Sequence, residues 1–280
     1  MTDKELFDKL SYERKNAYLI MQDDEKEEMK QLCDDYRAFL DNGKTERECV
    51  KEAVKYAEKA GFVPLESVTK LKAGDKVYKI NRNKNIFMAV IGSDDIRNGI
   101  NIAGAHIDSP RLDLKQNPLY ESTDMALLKT HYYGGIKKYQ WMTIPLAIHG
   151  VIYNADGEKT EICIGEKEDD PVFVITDLLP HLAKDQMAKK MTEGIEAENM
   201  NILIGGMPTD SEDIKEKVKF TVLKLLNERY NITEKSFISA EIEIVPAQKA
   251  KNVGLDESFV GAYGQDDRVC AYTTLRGIID

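Results

Sequence analysis

A histidine and an aspartate separated by one residue follow an apolar stretch in the segment AGAHIDSPRLDLK at 103–115. An imidazole and a carboxylate are usual nitrogen and oxygen ligands of a catalytic zinc ion. His106 therefore has the chemistry of a metal ligand, and Asp108 could hydrogen-bond the other ring nitrogen and fix its tautomer. The same pair is compatible with a structural histidine whose hydrogen bonds are satisfied, and the spacing alone favours that interpretation.

A second candidate ligand is Asp266, which opens the pair Asp266-Asp267 directly after the glycine-containing loop GAYGQ. The backbone can approach an ion closely in such a loop, and a carboxylate there could bridge two metal ions. An aspartate at the start of a helix can also cap the first turn, where the helix dipole favours negative charge. The spacing leaves capping and bridging open.

Helices are predicted on both sides of these residues. Apolar side chains recur at helical spacing over 29–40, and the sequence DNG ends that pattern. A capping box that opens at Thr45 begins a second helix, which we expect to end at Gly61. A further helical pattern follows Asp266 and continues to the end of the sequence.

Strands are predicted between the helices and His106. The segments KVYKI (76–80), IFMAVIG (86–92) and INIAGAHID (100–108) have strand-like apolar patterns, and the last two are predicted to be buried. Amphipathic helices followed by buried strands predict an α/β layer with a central sheet. His106 would then lie at the carboxyl end of a strand, where open α/β sheets bind their ligands.

The pattern changes between about 118 and 247. Short strand-like runs such as TIPLAIHGVIY and PVFVITDLL alternate with turns rich in Asp, Gly and Glu. One helix interrupts them, and FISAEIEIV at 237–245 alternates apolar and polar residues, as in a half-solvated strand. We therefore predict a β-rich subdomain at 118–247, inserted into an α/β domain that is formed by 1–117 and 248–280.

The composition argues against several classes of partner. The chain has 280 residues, of which 42% are hydrophobic and 31% charged, as expected of a globular protein with a sizeable core. Its net charge of −10 argues against nucleic acid and anionic membranes, which require clustered Lys and Arg. No window approaches the roughly 20 consecutive apolar residues of a membrane span, and the charged amino terminus lacks a signal core. Four scattered cysteines without a CxxC motif predict a reduced, cytoplasmic protein.

Four segments together resemble the aspartyl aminopeptidase family of co-catalytic zinc exopeptidases. They are GAHIDSPRLDLK, YGG at 133–135, LLPHLA at 178–183 and GQDDRVCAYTTLRGIID, in the order in which the family carries them. The resemblance implies a zinc-exopeptidase-like α/β/α domain with an inserted β-rich dimerisation domain. It also implies two zinc ions, peptide substrates, and a homo-oligomer in which dimers build a dodecamer.

The resemblance further implies roles for individual residues. His106 corresponds to a zinc ligand, Asp108 to the catalytic residue that orients it, and Asp266 to the carboxylate that bridges both zinc ions. His181 corresponds to a histidine that reaches into a neighbouring subunit's active site and steadies the tetrahedral intermediate. The alternative for His181 is a loop histidine with ordinary hydrogen bonds.

The other two histidines and one acidic run have no place in this resemblance. His131 and His149 match no ligand position of the family, and His149 lies in the apolar segment PLAIHGVIY, which favours a structural role. The acidic run EKEDD at 166–170 is predicted to be a solvated turn rather than a calcium loop.

The family pattern is incomplete in this chain. Family members also carry a glutamate pair that gives the general base and a ligand, then an aspartate ligand and a second histidine; these segments are not found in 1–280. Two ligands do not form the three- or four-ligand cage that zinc catalysis requires. We therefore expect the amino-terminal portion of a zinc aminopeptidase, with little or no activity alone. The alternative is a non-catalytic relative that acts as an assembly or binding scaffold.

Overall fold

The structure is a computed structural model that describes residues 1–154 and 157–280. Its helices are α1 Asp3–Leu10, α2 Asp23–Asn42, α3 Glu46–Lys59, α4 Lys184–Ala188, α5 Lys217–Tyr230 and α6 Gln265–Ile279. Its strands are β1 Val63–Pro64, β2 Lys76–Asn81, β3 Asn85–Val90, β4 Arg111–Ser122, β5 Met125–Tyr133, β6 Leu146–Tyr153, β7 Lys159–Ile164, β8 Val174–Ile175, β9 Ile202–Gly205, β10 Glu241–Pro246, β11 Lys251–Val253 and β12 Phe259–Gly261. The predicted mixed α/β class is confirmed. None of the described helices is long and apolar enough to span a bilayer.

A small aromatic core joins α2, α3 and α6. The ring of Tyr272 lies 5.3 Å from that of Phe39 and 5.1 Å from that of Tyr36, separations at which aromatic pairs add to the gain from burial. The predicted capping box is confirmed, because the Thr45 hydroxyl accepts a hydrogen bond from the Glu48 amide at the start of α3. The helix that carries Asp266 is thus packed against both of the long amino-terminal helices.

The first sheet has the order β1-β2-β3 and is less buried than the sequence predicts. β2 and β3 are antiparallel, and β1 runs parallel to β2. One face of β3 packs on the helices, but Phe87 on its other face is exposed. The predicted strand at 100–108 is wrong: residues 99–110 have no regular secondary structure, and Ile100 and Ile102 are exposed. The reason is that no described strand pairs with this segment or covers the outer face of β3.

The second sheet has seven strands in the order β7-β6-β10-β4-β5-β9-β8, and all of its pairings are antiparallel. The largest hydrophobic core packs on it together with α5. This is the β-rich part that the change in pattern predicts. A division between 117 and 118 would cut β4, however, because that strand runs without a break from Arg111 to Ser122. The sheet itself extends from Arg111 to Pro246, the last residue of β10.

The strand predicted at 237–245 is confirmed only from Glu241 onward, and its predicted half-solvated pattern is wrong. β10 begins only at Glu241, and Ile238 lies in a short 3-10 helix, where its side chain is 58% exposed. β10 is an inner strand between β6 and β4, and its residues 242–245 are all buried. Glu243 does not face solvent, because it lies beside Arg111 in the interior.

The difference between these two isoleucines is testable. Replacing the fully buried Ile244 with alanine leaves a cavity in the middle of the sheet, so Ile244→Ala is expected to lower the free energy of unfolding by about 3 kcal/mol. The exposed Ile238→Ala variant is expected to stay within about 0.5 kcal/mol of the wild type. Urea unfolding can be followed through Trp141, the chain's one tryptophan, which is buried in this core. Equal losses in the two variants would contradict the assignment of β10.

Candidate functional site

His106 and Asp266 meet where the irregular segment 99–110 passes the start of α6. The Nε2 atom of His106 lies 3.4 Å from Oδ1 of Asp266 and 4.0 Å from Oδ2 of Asp267. The Nδ1 atom of the same ring lies 3.0 Å from the backbone carbonyl oxygen of Asp108 and 3.2 Å from Oδ1 of its carboxylate. The ring thus has one nitrogen turned to Asp108 and the other to the acidic pair. The structure brings His106, Asp108 and Asp266 together, while their roles as ligands and orienting residue stay predictions.

Arg268 holds the two segments of this site together. Its side chain is only 1% exposed; Nε donates a 3.2 Å hydrogen bond to the Ile107 carbonyl, and Nη2 donates a 2.8 Å bond to the Lys44 carbonyl. The Ser109 hydroxyl donates a 3.1 Å bond to the backbone carbonyl of Asp266, 157 residues further along the chain. The two candidate ligands therefore sit on backbone segments that are directly bonded to each other.

Gly264, in the loop GAYGQ, makes room for this arginine. It has a φ of +82°, in the left-handed region that glycine adopts without strain. A Cβ atom at this position would collide with the Arg268 guanidinium. The sequence suggests that this loop lets the backbone approach an ion, whereas in the structure its glycine lets the backbone approach a buried side chain.

The structure does not support the capping alternative for Asp266. Gly264 is the N-cap residue of α6, no side chain caps that end, and Asp266 itself has non-helical backbone angles. The Asp266 carboxylate is 94% exposed and faces the His106 ring rather than the amides of its own helix. Its side chain is therefore free to bind a ligand from the solvent side.

Three carboxylates make the surroundings of His106 negative. Partial burial opposes a charge on the imidazole, but the carbonyl and carboxylate of Asp108 and the carboxylate of Asp267 outweigh it and raise the pKa of His106. Burial likewise opposes the ionisation of Asp108. The 2.8 Å hydrogen bond from the Tyr133 hydroxyl and the nearby His106 ring nevertheless lower the pKa of Asp108. The negative charge of these carboxylates therefore favours a cation beside the His106 ring.

The spacing of the donor atoms fits a zinc ion. Two ligand atoms at roughly 2.0–2.1 Å from a tetrahedral zinc lie about 3.3 Å apart, which agrees with the separation between His106 Nε2 and Asp266 Oδ1. Imidazole nitrogen and carboxylate oxygen are both accepted zinc ligands. Asp267 places a third donor within 4.0 Å of the same ring nitrogen. The sequence assigns Asp267 no role, although it stands directly beside the predicted bridging residue.

Tyr133 is another residue whose part in the site the sequence leaves open. It opens the YGG segment, which contributes to the family resemblance without any assigned role. In the structure its hydroxyl donates to Oδ2 of Asp108. Only the folded arrangement places it there, since Tyr133 belongs to β5 of the seven-stranded sheet.

His181 lies apart from these residues within a single chain. It is exposed on a turn between β8 and α4. Among the described residues it has no hydrogen bond or ion pair with His106, Asp108 or Asp266. Its predicted place is in a neighbouring subunit, so its role stays a prediction.

A second group of possible metal ligands lies around His149. Ligand atoms of Glu48, His149 and Cys163 all fall within 4.8 Å of one another. Both ring nitrogens of His149 are already occupied, however: Nδ1 lies 2.7 Å from Oε1 of Glu48, and Nε2 lies 3.0 Å from Oε1 of Glu166. The imidazole is only 2% exposed. This geometry describes an interior ion network, in keeping with the structural role predicted for His149.

Glu166 completes this network. The predicted solvated turn is confirmed at the exposed residues 167–169, whereas Glu166 is an exception to it. Its carboxylate is largely buried and pairs with Lys44 at 2.7 Å and Lys249 at 2.6 Å. Burial alone would raise the pKa of Glu166, but its bonds to His149 and the two lysines lower it to about 2. Burial alone would lower the pKa of His149, but its contacts with Cys163, Glu166 and Glu48 raise it to about 11.

Comparison with known proteins adds an independent finding. The family model described as Aminopeptidase I zinc metalloprotease (M18) matches residues 39–280. A probable M18 family aminopeptidase 1 from Clostridium acetobutylicum is 53% identical over 272 residues, which are 96% of this chain and 58% of the relative. The crystal structure of an M18 aminopeptidase from Thermotoga maritima superposes with a TM-score of 0.91 at 49% identity, covering 96% of this chain and 58% of that one.

A more distant structure shares the fold alone. It is described as the dodecamer of the aminopeptidase mApe1 of S. cerevisiae, and it superposes with a TM-score of 0.63 at 19% identity. The alignment covers 88% of this chain and 55% of the yeast chain. The present chain spans about 58% of the length of the two bacterial relatives described above.

The ion network around His149 predicts a pH-dependent stability. Because folding raises the pKa of this imidazole from about 6.5 to about 11, its contribution is fully present below the unfolded value and is lost as the pH rises through the folded value. His149→Gln should lower the free energy of unfolding by about 3 kcal/mol at about pH 6, because it leaves buried charges unpaired. The difference from the wild type should shrink towards about pH 10.

Urea unfolding at a series of pH values measures this effect. The exposed His131 on β5 offers a matched control, and His131→Gln is expected to follow the wild type at every pH. A constant difference between the wild type and His149→Gln from about pH 6 to about pH 10 would show that the buried imidazole is not charged.

Proposed function

Because the chain belongs to the M18 family of zinc aminopeptidases, we propose that it provides part of the active site of a metallo-aminopeptidase that removes amino-terminal residues from peptides. The observation that carries this proposal is the 3.4 Å separation between His106 Nε2 and Asp266 Oδ1, two residues remote in sequence. A buried arginine and a direct hydrogen bond fix the segments that carry them. Such support is expected where two ligands must hold one cation.

Each residue has a separate part in the proposed reaction. His106 and Asp266 would hold the metal, and Asp108 fixes the tautomer of His106. Bound zinc would supply Lewis-acid chemistry, through which a scissile carbonyl would be polarised and the pKa of a water molecule lowered. Asp108 accepts a hydrogen bond from the protonated Nδ1 of His106, so that Nε2 directs its lone pair to the cation position.

The chain alone is proposed to be inactive. It brings one imidazole and the carboxylates of Asp266 and Asp267 to the site, whereas each of two zinc ions needs three or more protein ligands. The resemblance assigns the general base and the remaining ligands to segments that are not recognised in 1–280. The bacterial relatives are longer, since the chain covers only 58% of their length.

The seven-stranded sheet is proposed to be an inserted dimerisation domain, with its limits at Arg111 and Pro246 rather than at 118 and 247. A homo-oligomer, with dimers that build a dodecamer, is the assembly that the family resemblance suggests, and a yeast protein with the same fold is described as a dodecamer. In such an assembly the exposed His181 would reach the active site of a neighbouring subunit and stabilise negative charge there. A cytoplasmic location is also proposed, and the four free cysteines support it.

A non-catalytic scaffold is the less favoured alternative. A scaffold requires a folded surface but no convergence of an imidazole with several carboxylates. The exposed Asp266 carboxylate beside the His106 ring has no structural use among the described residues, because it neither caps α6 nor pairs with a lysine or arginine. This arrangement favours the enzyme.

The experiment that tests the proposal uses the full encoded protein and aminoacyl anilide substrates. His106→Ala is expected to reduce the zinc-dependent release of amino-terminal residues to the level of metal-free protein, because the cation loses its imidazole ligand. His131→Ala, which removes an exposed imidazole outside the site, is the matched control and is expected to keep wild-type activity. Unchanged activity of His106→Ala would refute the ligand assignment and with it the proposed function.

A further inference from the structure

We propose that Tyr133 is a positioning residue that connects the seven-stranded sheet to the candidate zinc site. Its hydroxyl fixes one oxygen of Asp108, so that the other oxygen stays directed at His106. The proposal rests on the proposed function, because it gives a purpose to the orientation of a candidate zinc ligand. Tyr133 touches neither substrate nor metal, and it acts through Asp108.

The two oxygens of the Asp108 carboxylate have different partners. Oδ2 accepts a 2.8 Å hydrogen bond from the Tyr133 hydroxyl, and Oδ1 lies 3.2 Å from Nδ1 of His106. A carboxylate held at one oxygen cannot rotate freely about its bond to the side chain. The tyrosine therefore determines where the second oxygen points.

The Tyr133 ring is held in place by Arg111, which is itself bound by two carboxylates. The Arg111 guanidinium lies 4.1 Å from the ring centroid, within the range of a cation–π interaction, and the two residues are paired between β4 and β5. Arg111 in turn donates to Glu46 of α3 at 2.7 Å and to Asp113 at 2.8 Å. The hydroxyl is thus positioned by a helix beside the site and by the sheet at once.

This arrangement selects one tautomer of the neutral imidazole. Nδ1 of His106 has two acceptors, the backbone carbonyl oxygen and Oδ1 of Asp108, so its proton is retained there. Nε2 then carries the lone pair and faces Asp266. Hydrogen-bonding partners of metal-bound histidines typically change metal affinity by about 10–100-fold.

The variant Tyr133→Phe isolates the hydroxyl. The phenyl ring can keep its place over Arg111, so only the hydrogen bond to Asp108 is lost. The neighbouring Tyr132 provides the matched control: it lies on the same strand with similar exposure, and its hydroxyl has no hydrogen bond within the described residues. Tyr132→Phe removes the same atom without touching Asp108.

Two measurements on the chain of 280 residues test the proposal. The first is nitrogen-15 NMR of the histidine rings, without metal and at a pH where the His106 imidazole is neutral. In the wild type and in Tyr132→Phe we expect His106 to be protonated mainly at Nδ1, and in Tyr133→Phe we expect a clear rise in the form protonated at Nε2. The second is titration with Zn²⁺, for which Tyr133→Phe is expected to bind about 10–100-fold more weakly.

The outcomes separate this inference from the proposed function. An unchanged His106 tautomer in Tyr133→Phe overturns the positioning role, whatever the metal titration gives. Unchanged peptidase activity of His106→Ala counts against the proposed function, while the NMR comparison still decides the role of Tyr133. A tautomer shift in Tyr133→Phe that is absent from Tyr132→Phe supports the proposal.

Discussion

The buried guanidinium of Arg268 is the constraint on which the site depends. It has no carboxylate partner among the described residues, and its Nε and Nη2 atoms donate to the carbonyl oxygens of Ile107 and Lys44. Hydrogen bonds from a charged donor contribute about 1.5–3 kcal/mol each, and their loss inside a protein leaves the acceptors unpaired. Because Arg268 follows directly after Asp267 and one of its acceptors directly follows His106, this side chain fixes the relative position of the two candidate ligand segments, together with the Ser109 hydrogen bond.

A second group of buried charges ties the seven-stranded sheet to the helices. Arg111 on β4 pairs with Glu46 of α3, with Asp113 and with Glu243 of β10. Burial and the nearby Glu46 raise the pKa of Glu243, and the Arg111 guanidinium opposes this rise. The network around His149 makes a similar link from α3 to β6. The attraction between buried charges offsets the cost of their desolvation only when the pairs have good geometry. Each link therefore favours one orientation of the sheet.

Local features of the structure could be predicted from the sequence, because their determinants lie close together. The capping box at Thr45 and the glycine at position 61 set the limits of α3 through neighbouring backbone groups. The structural role of His149 followed from the apolar residues around it. The meeting of His106 with Asp266 was expected from the family resemblance, since spacing alone favoured a structural histidine and left the aspartate undecided.

Features that depend on remote partners could not be predicted. An apolar run such as 100–105 carries a strand pattern, yet a strand forms only when another one pairs with it, and no described strand does. The burial of Glu166, unlike the exposure of 167–169 in the same turn, could not be predicted because the lysines that pair with it are distant in sequence. The contact of Tyr133 with Asp108 also depends on remote partners. It results from the pairing of β4 with β5 and from the course of the chain before β4.

The candidate site is therefore positioned by tertiary contacts rather than by a strand. Four consecutive residues after His106 are each bound to another part of the chain: the Ile107 carbonyl to Arg268, the Asp108 carboxylate to Tyr133, the Ser109 hydroxyl to the Asp266 carbonyl, and the Pro110 carbonyl to the Tyr263 hydroxyl.

These four bonds set the direction of the imidazole from its carboxyl-terminal side. Residues 100–105 contribute none of them and remain exposed. Burial begins at Ile107 and is nearly complete at Ser109, so the chain becomes fixed within three residues of the candidate ligand. The orientation of His106 towards Asp266 is thus a property of α6, the loop before it and the seven-stranded sheet, and it does not require pairing of the apolar run that precedes the histidine.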